Sequence, residues 1–207
     1  MKCDGLWLTR GSTPVLADFS LEIQEKSITA IVGANGSGKS TIVSVLAGDL
    51  KPDSGSVKLF DKDIDRYGLS ELATMRSVVL QHQNFWLGYT VREVIEMGQG
   101  APSLARVDQV MRDLGIEKIA GQSVLTLSGG QAQRASIARA LVRDTAIYLF
   151  DEPFSSQDRE SRKVLIDIFR GLKERGKTVV IVAHLADSDL GWCDHIIEKL
   201  AQLKPSL

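Results

Sequence analysis

Gly33-Ala34-Asn35-Gly36-Ser37-Gly38-Lys39-Ser40-Thr41 carries the spacing G-x-x-x-x-G-K-S/T, and residues of those types in that order can cradle a polyphosphate. Glycines let the loop curl with its N–H groups pointing inward, where side chains would block an approaching anion. A helix starting near Lys39 adds its unsatisfied N–H groups and positive dipole end. Lys39 supplies a mobile charge, and the Ser40 hydroxyl can reach Mg²⁺. The chemistry indicated is binding of a nucleoside triphosphate with magnesium. A second constellation follows the apolar run Ile147-Tyr148-Leu149-Phe150, where Asp151 and Glu152 stand together. Asp151 is placed to hold the magnesium shell and Glu152 to polarise an attacking water. A third is Leu127-Ser128-Gly129-Gly130-Gln131. Two glycines at a helix start make another backbone anion site, with Ser128 as a hydroxyl donor.

The elements that must position these groups are read from periodicity. Ile28-Thr29-Ala30-Ile31-Val32 is an apolar, partly β-branched run that predicts a buried strand leading into the first loop. Short strands are predicted at Leu6–Leu8 and Phe19–Ile23, with turn chemistry at Gly11-Ser12-Thr13-Pro14 between them. Ile42, Val45, Leu46 and Leu50 have helical spacing, and Lys51-Pro52-Asp53-Ser54-Gly55 ends that helix. A strand at Ser56–Phe60, a helix capped by Ser70 and a strand at Ser77–Leu80 come next. From about 84 to 127 no convincing strand occurs. Val91–Met97 and the spacing of Val107, Val110, Met111 and Leu114 predict helices, with a loop at Gly98–Ser103. Then come a helix at Gly130–Arg143, strands at Ala146–Phe150 and Thr178–Ala183, a helix at Arg159–Arg175 and a last strand near His195–Leu200. Strands alternating with helices indicate α/β architecture with a mainly parallel sheet. In such a sheet ligands collect at the carboxyl ends of the strands, which places Asp151 and Glu152 beside the phosphate loop.

Composition bounds the rest. A chain of 207 residues has room for one good core, and its 43% hydrophobic and 25% charged content is ordinary for a soluble globular protein. Formal charge is 25 minus 26, or -1, which offers no global attraction for nucleic acid. The apolar runs are too short to cross a bilayer, no signal peptide is apparent, and Cys3 and Cys193 form no metal spacing with His82, His184 and His195. A reduced, cytosolic location is expected.

Leu127 to Gln131, followed by Arg134 and Ala138-Arg139-Ala140-Leu141, resembles the signature sequence of the ATP-binding cassette (ABC) ATPases. The resemblance runs from about Leu16 to Ile197. It implies a single domain over 1–207, a P-loop NTPase core at about 1–83 and 128–207 with an N-terminal antiparallel β portion, and an inserted helical subdomain at about 84–127. It implies that Gln81 is the Q-loop glutamine reaching the metal and the attacking water, with Gln83 a weaker candidate. Asp158 in Ser155-Ser156-Gln157-Asp158 takes the place of the D-loop acid, and His184 that of the switch histidine at the γ-phosphate. Two copies would pair head to tail, each ATP lying between the phosphate loop of one and Ser128, Gly129, Gly130 and Gln131 of the other. The partners implied are a second ATPase subunit and integral membrane permease subunits at the cytoplasmic face of the membrane, with no nucleic acid. Residues 81–97 and 151–155 further resemble importers of metal chelates, haem, cobalamin, zinc or manganese.

There are departures. Where the family places an aromatic side chain to stack on adenine, this chain has Arg10, whose guanidinium plane can stack instead. Trp7 is read as core rather than as a base platform, so weak discrimination between ATP and GTP is expected. Gln157 and Ser156 replace the usual Leu and Ala of the D-loop, and Leu185 follows His184 where Asp is common. The end of the chain soon after the last strand is read as leaving no room for a C-terminal regulatory domain. Phe85, Trp86, Leu87 and Tyr89 form an interaction patch or pack into the helical part. An exporter ATPase, a soluble relative acting in DNA repair or translation, and a small-molecule kinase are the alternatives. The soluble relatives generally carry a coiled coil or two cassettes, and a kinase gives no reason for 127–131.

Overall fold

A computed structural model describes residues 1–81, 87–184 and 190–199. The chain opens with β1 (Lys2–Arg10) and β2 (Thr13–Glu22), an antiparallel hairpin closed by Gly11 and Ser12. Both strands run longer than apolarity alone predicts, because β1 is paired on both edges, by β2 and by β4 (Ser54–Leu59). Between them lie β3 (Ile28–Gly33) and α1 (Lys39–Ala47), which ends at left-handed Gly48. A two-residue β5 (Lys62–Asp63) completes the order β2-β1-β4-β5 of the antiparallel sheet.

After α2 (Leu69–Met75) the chain enters β6 (Arg76–Val79). Ser70 does not cap α2: the cap position is Gly68, with no side-chain hydrogen bond, and Ser70 lies inside the first turn. Next come α3 (Val91–Glu96), α4 (Ala101–Leu104) and α5 (Val107–Asp113). The expected loop at 98–103 thus contains a helical turn, started by Pro102 at a position that needs no N–H. Thr90 and Glu93 close a capping box at the start of α3. The remaining elements are α6 (Gly129–Leu141), β7 (Ile147–Asp151), α7 (Arg159–Glu174), β8 (Thr178–His184) and β9 (His195–Lys199).

Strands β6-β7-β8-β3-β9 form one parallel sheet in that order. Period-two alternation sorts its side chains between two cores. Tyr148, Phe150, Val179, Ile181 and Ala30 face the core shared with α3, α5, α6 and α7, whereas Ile147, Leu149, Val180, Val182 and Ile31 face α1 and the antiparallel sheet. Sandwiched on both faces, β7 is buried at all five positions. That rigid strand carries Asp151 at its carboxyl end.

Candidate functional site

The carboxyl ends of β3, β6, β7 and β8 lie along one edge of the parallel sheet, with Gly33 in register with His184 and Asp151 with Val182. The ends of β3, β6 and β7 each deliver one part of the candidate site. From β3 the chain passes into the phosphate loop, where Gly36 (φ 75°) and Gly38 (φ 88°) take the left-handed conformation that curls it. A Cβ at Gly36 would meet nothing within 4 Å, so backbone conformation rather than lack of space requires that glycine. Lys39 is buried and donates to the carbonyl oxygens of Gly33 at 2.8 Å and Ala34 at 2.9 Å. Its ammonium is therefore held over the inside of the loop by the loop itself. Ala34, Asn35, Gly36 and Ser40 are exposed, while Thr41 is buried beneath them.

Asp151 is only 1% exposed, and its Oδ1 has no hydrogen-bond partner. Burial pushes its carboxyl above the ordinary carboxylate range, and neighbouring Glu152 pushes the same way. A Ser40 hydrogen bond, the Lys39 charge and the Gln81 backbone pull it back, without cancelling the effect. A buried, unsatisfied carboxylate oxygen beside a serine hydroxyl is the donor set that a hard, oxygen-seeking cation such as Mg²⁺ needs.

Glu152 is 8% exposed, and its backbone lies in the left-handed region at φ 50°. Non-glycine residues reach that region at a cost, and such strain concentrates at functional sites. Its N–H donates to the Val182 carbonyl of β8 at 3.0 Å, and its own carbonyl accepts from the Ser155 N–H and hydroxyl at 3.1 and 2.9 Å. These bonds turn the chain out of the sheet and aim the carboxylate toward the end of β6. There the Gln81 side-chain amide donates to Glu152 Oε2 at 2.5 Å. Lys39, Ser40, Asp151, Glu152 and Gln81 are thus brought together by three segments distant in sequence.

The second candidate anion site, at 128–131, is built apart from the first. Ser128 caps α6 in a reciprocal box: its Oγ accepts from the Gln131 N–H at 3.3 Å, and its own N–H donates to Gln131 Oε1 at 2.9 Å. Among the described residues no hydrogen bond or ion pair joins 128–131 to the phosphate loop. Those residues instead pack on 155–157, where a Cβ at Gly130 would lie 2.7 Å from the Ser156 carbonyl oxygen. Only glycine allows that approach. Asp158 caps α7, accepting from the Ser161 N–H at 2.7 Å, and this bond holds its carboxyl below the usual range.

Arg10 ends β1 in the exposed hairpin, paired with Thr13. Trp7 is 46% exposed, so it is not core: Leu6 and Leu8 on either side of it are the buried positions of the strand. His184 closes β8, and its side chain lies outside what is described, as do His82, Gln83, Phe85, Trp86 and Leu185. His195 lies away from the site, with Nε2 3.1 Å from Gln24 Oε1. Two features had no signal in the sequence: the direct Gln81–Glu152 contact and the left-handed backbone of Glu152.

The family model described as ABC transporter matches residues 16–155, well over half of the chain. The chain belongs to the ABC transporter family. It is an ATPase of that family, built on the cassette fold. Among curated relatives it is 37% identical to the Hemin import ATP-binding protein HmuV of Rhodopseudomonas palustris (strain HaA2), over 84% of this chain and 71% of that one. It is 31% identical to the protein of that name from Rhodococcus jostii (strain RHA1), over 95% and 70%. Among solved structures, an ATP-binding cassette dimer in a post-hydrolysis state with ADP and phosphate superposes with a TM-score of 0.84 at 25% identity. That match covers 98% of this chain and 96% of the other.

Proposed function

We propose that this ABC ATPase drives an importer of haem or a related metal chelate, working as a head-to-tail pair against membrane permease subunits. The observation that carries the substrate class is the 31–37% identity to hemin import ATP-binding proteins along most of the chain. The paired arrangement is supported by the signature turn, whose N–H groups have no bond to the phosphate loop of their own subunit. Residues 33–41 of one copy would hold the ATP phosphates, and Ser128, Gly129, Gly130 and Gln131 of the other would close over the γ-phosphate. The domain reading is one cassette over 1–207, with core at about 1–83 and 128–207 and a helical subdomain at about 84–127.

Ser40, Asp151 and Gln81 would hold Mg²⁺, which when bound neutralises charge on the phosphate oxygens. Lys39, released from the Gly33 and Ala34 carbonyl oxygens, turns its ammonium to the phosphates. Glu152 accepts the proton of the attacking water, which requires Gln81 to move its amide from the carboxylate to the water. His184 contacts the γ-phosphate, Asp158 reports to the opposite site, and Arg10 stacks on the base. Leu87, Tyr89 and Leu125, large and exposed beside the helical part, form the surface offered to the permease. No described helix is long and apolar enough to cross a membrane, so the membrane-face location depends on that contact.

Purification from membranes in mild detergent tests the proposal. A co-purifying polytopic subunit, with ATP hydrolysis in reconstituted vesicles raised by haem on the donor side, is expected. A chain that leaves the membrane with nucleic acid and without such a subunit would overturn it.

A further inference from the structure

Gln157 makes contacts that no leucine could make, at a position where its relatives' resemblance leads one to expect leucine. Its Nε2 donates to the Gly130 carbonyl oxygen at 3.1 Å, and its Oε1 accepts from Arg134 Nη1 at 3.1 Å. The same Arg134 Nη1 donates to Ser161 Oγ at 2.8 Å, and the Ser161 N–H donates to Asp158 Oδ1 at 2.7 Å. The first turns of α6 and α7 are therefore tied across 155–158 by one run of hydrogen bonds. The amide has a unique orientation, because turning it over would set an NH₂ against the guanidinium and an oxygen against the Gly130 carbonyl. On the backbone side, Ser156 is held at φ 60° with its carbonyl pressed onto Gly130.

We propose that Gln157 is a positioning residue that fixes the signature turn to the segment following the subunit's own Glu152. The two then move as one body when a pair of subunits closes. This rests on the paired reading above. In that arrangement the signature turn serves the partner's ATP while Glu152 serves the subunit's own. A rigid link between them makes the placement of donors at one site depend on the state of the other. Without Gln157 the Gly130 carbonyl loses its second hydrogen bond, and the first turn of α6 is tied to α7 only through the Arg134–Ser161 bond one turn further on. A displacement of about 1 Å at such a site is enough to cost rate without costing binding.

The test uses the whole chain with Gln157→Leu, which removes both bonds, and Gln157→Glu, which keeps an acceptor for Arg134 and removes the donor to Gly130. Both should bind a fluorescent ATP analogue to the single subunit, without magnesium, as tightly as the unaltered protein. Both should lose roughly five- to tenfold in kcat with KM for Mg-ATP unchanged, the size expected for the loss of one hydrogen bond at a part-buried carbonyl. Retained thermal stability separates this from unfolding. Wild-type kcat in Gln157→Leu would overturn the proposal, and so would wild-type kcat in Gln157→Glu alone, since the Gly130 bond would then not matter. In a Glu152→Gln background with Gln157 intact, ATP should drive pairing seen by light scattering. Absence of that pairing would sink the paired reading and this inference with it, whereas pairing with undiminished Gln157→Leu turnover sinks only the role of Gln157.

Discussion

Replacing Asp151 by Asn should stabilise the nucleotide-free protein while removing its use of magnesium. The carboxylate is almost wholly buried, one oxygen has no partner, and Glu152 adds like charge beside it. Lys39 does not compensate fully, since its ammonium is bonded to the Gly33 and Ala34 carbonyl oxygens. Asparagine keeps the shape and removes the charge. An unsatisfied buried polar group costs about 1–3 kcal/mol, more when charged, so a gain of that order is expected near pH 7. For a chain of this size each kcal/mol shifts Tm by about 2–4 °C, giving a rise of roughly 2–12 °C. The pH dependence follows from the raised folded pKa of Asp151. The penalty on the charged form is fully present above the folded pKa, fades as pH falls through it, and is gone below the unfolded carboxylate value of about 4. The advantage of Asp151→Asn should therefore shrink on acidification. Differential scanning fluorimetry across that range without divalent cations reads both effects. With magnesium and ATP added the order should reverse, because only the native carboxylate holds the cation. A lower Tm for the variant near pH 7 without divalent cations would refute the reasoning, showing that attraction to Lys39 and Ser40 exceeds desolvation.

Glu152→Gln should bind ATP and lose about 10²–10⁴ in hydrolysis, measured as phosphate release, because it removes the proton acceptor held by Gln81. Lys39→Ala should weaken ATP binding by about 10–100-fold in titration calorimetry, the worth of a charge-assisted hydrogen bond. Gly129→Ala and Gly130→Ala should differ in sign: a Cβ at Gly129 meets only the movable Ser156 side chain at 3.4 Å, whereas one at Gly130 meets backbone at 2.7 Å. Thermal unfolding should show the first neutral or stabilising and the second destabilised by about 1–3 kcal/mol. Arg10→Ala should raise KM for ATP and GTP alike by less than about tenfold; an unaltered strong preference for ATP would remove Arg10 from base binding.

Much of the site was legible because its chemistry is local. The glycine spacing of 33–41 and the apolar run before Asp151 each state a backbone requirement in consecutive residues. The β7 run also tells its burial, since Tyr148 and Phe150 can face one core only if Ile147 and Leu149 face another. What escaped is non-local. The need for glycine at 130 comes from the Ser156 carbonyl, 26 residues later, and the strain at Glu152 is sustained by Val182 across the sheet. Trp7 was misread through its size, although the alternation Leu6-Trp7-Leu8 already placed it opposite two buried leucines. Ser70 has capping chemistry, but the helix is capped two residues earlier, at Gly68, and α4 arises where Pro102 can begin a turn.

The strand beneath the phosphate loop has a consequence for synthesis. β3, at residues 28–33, is flanked by β8 and β9, which are made only after residue 177. While the ribosome is extending the chain from about residue 40 to 180, the most apolar strand of the protein has neither edge covered. Its pairing must wait for a closure of about 150 residues, which is slow and leaves a template for mispairing. The nascent chain carries its nucleotide loop early but gains the means to hold it in shape only when β8 and β9 have been made, so ATP can report that pairing rather than guide it.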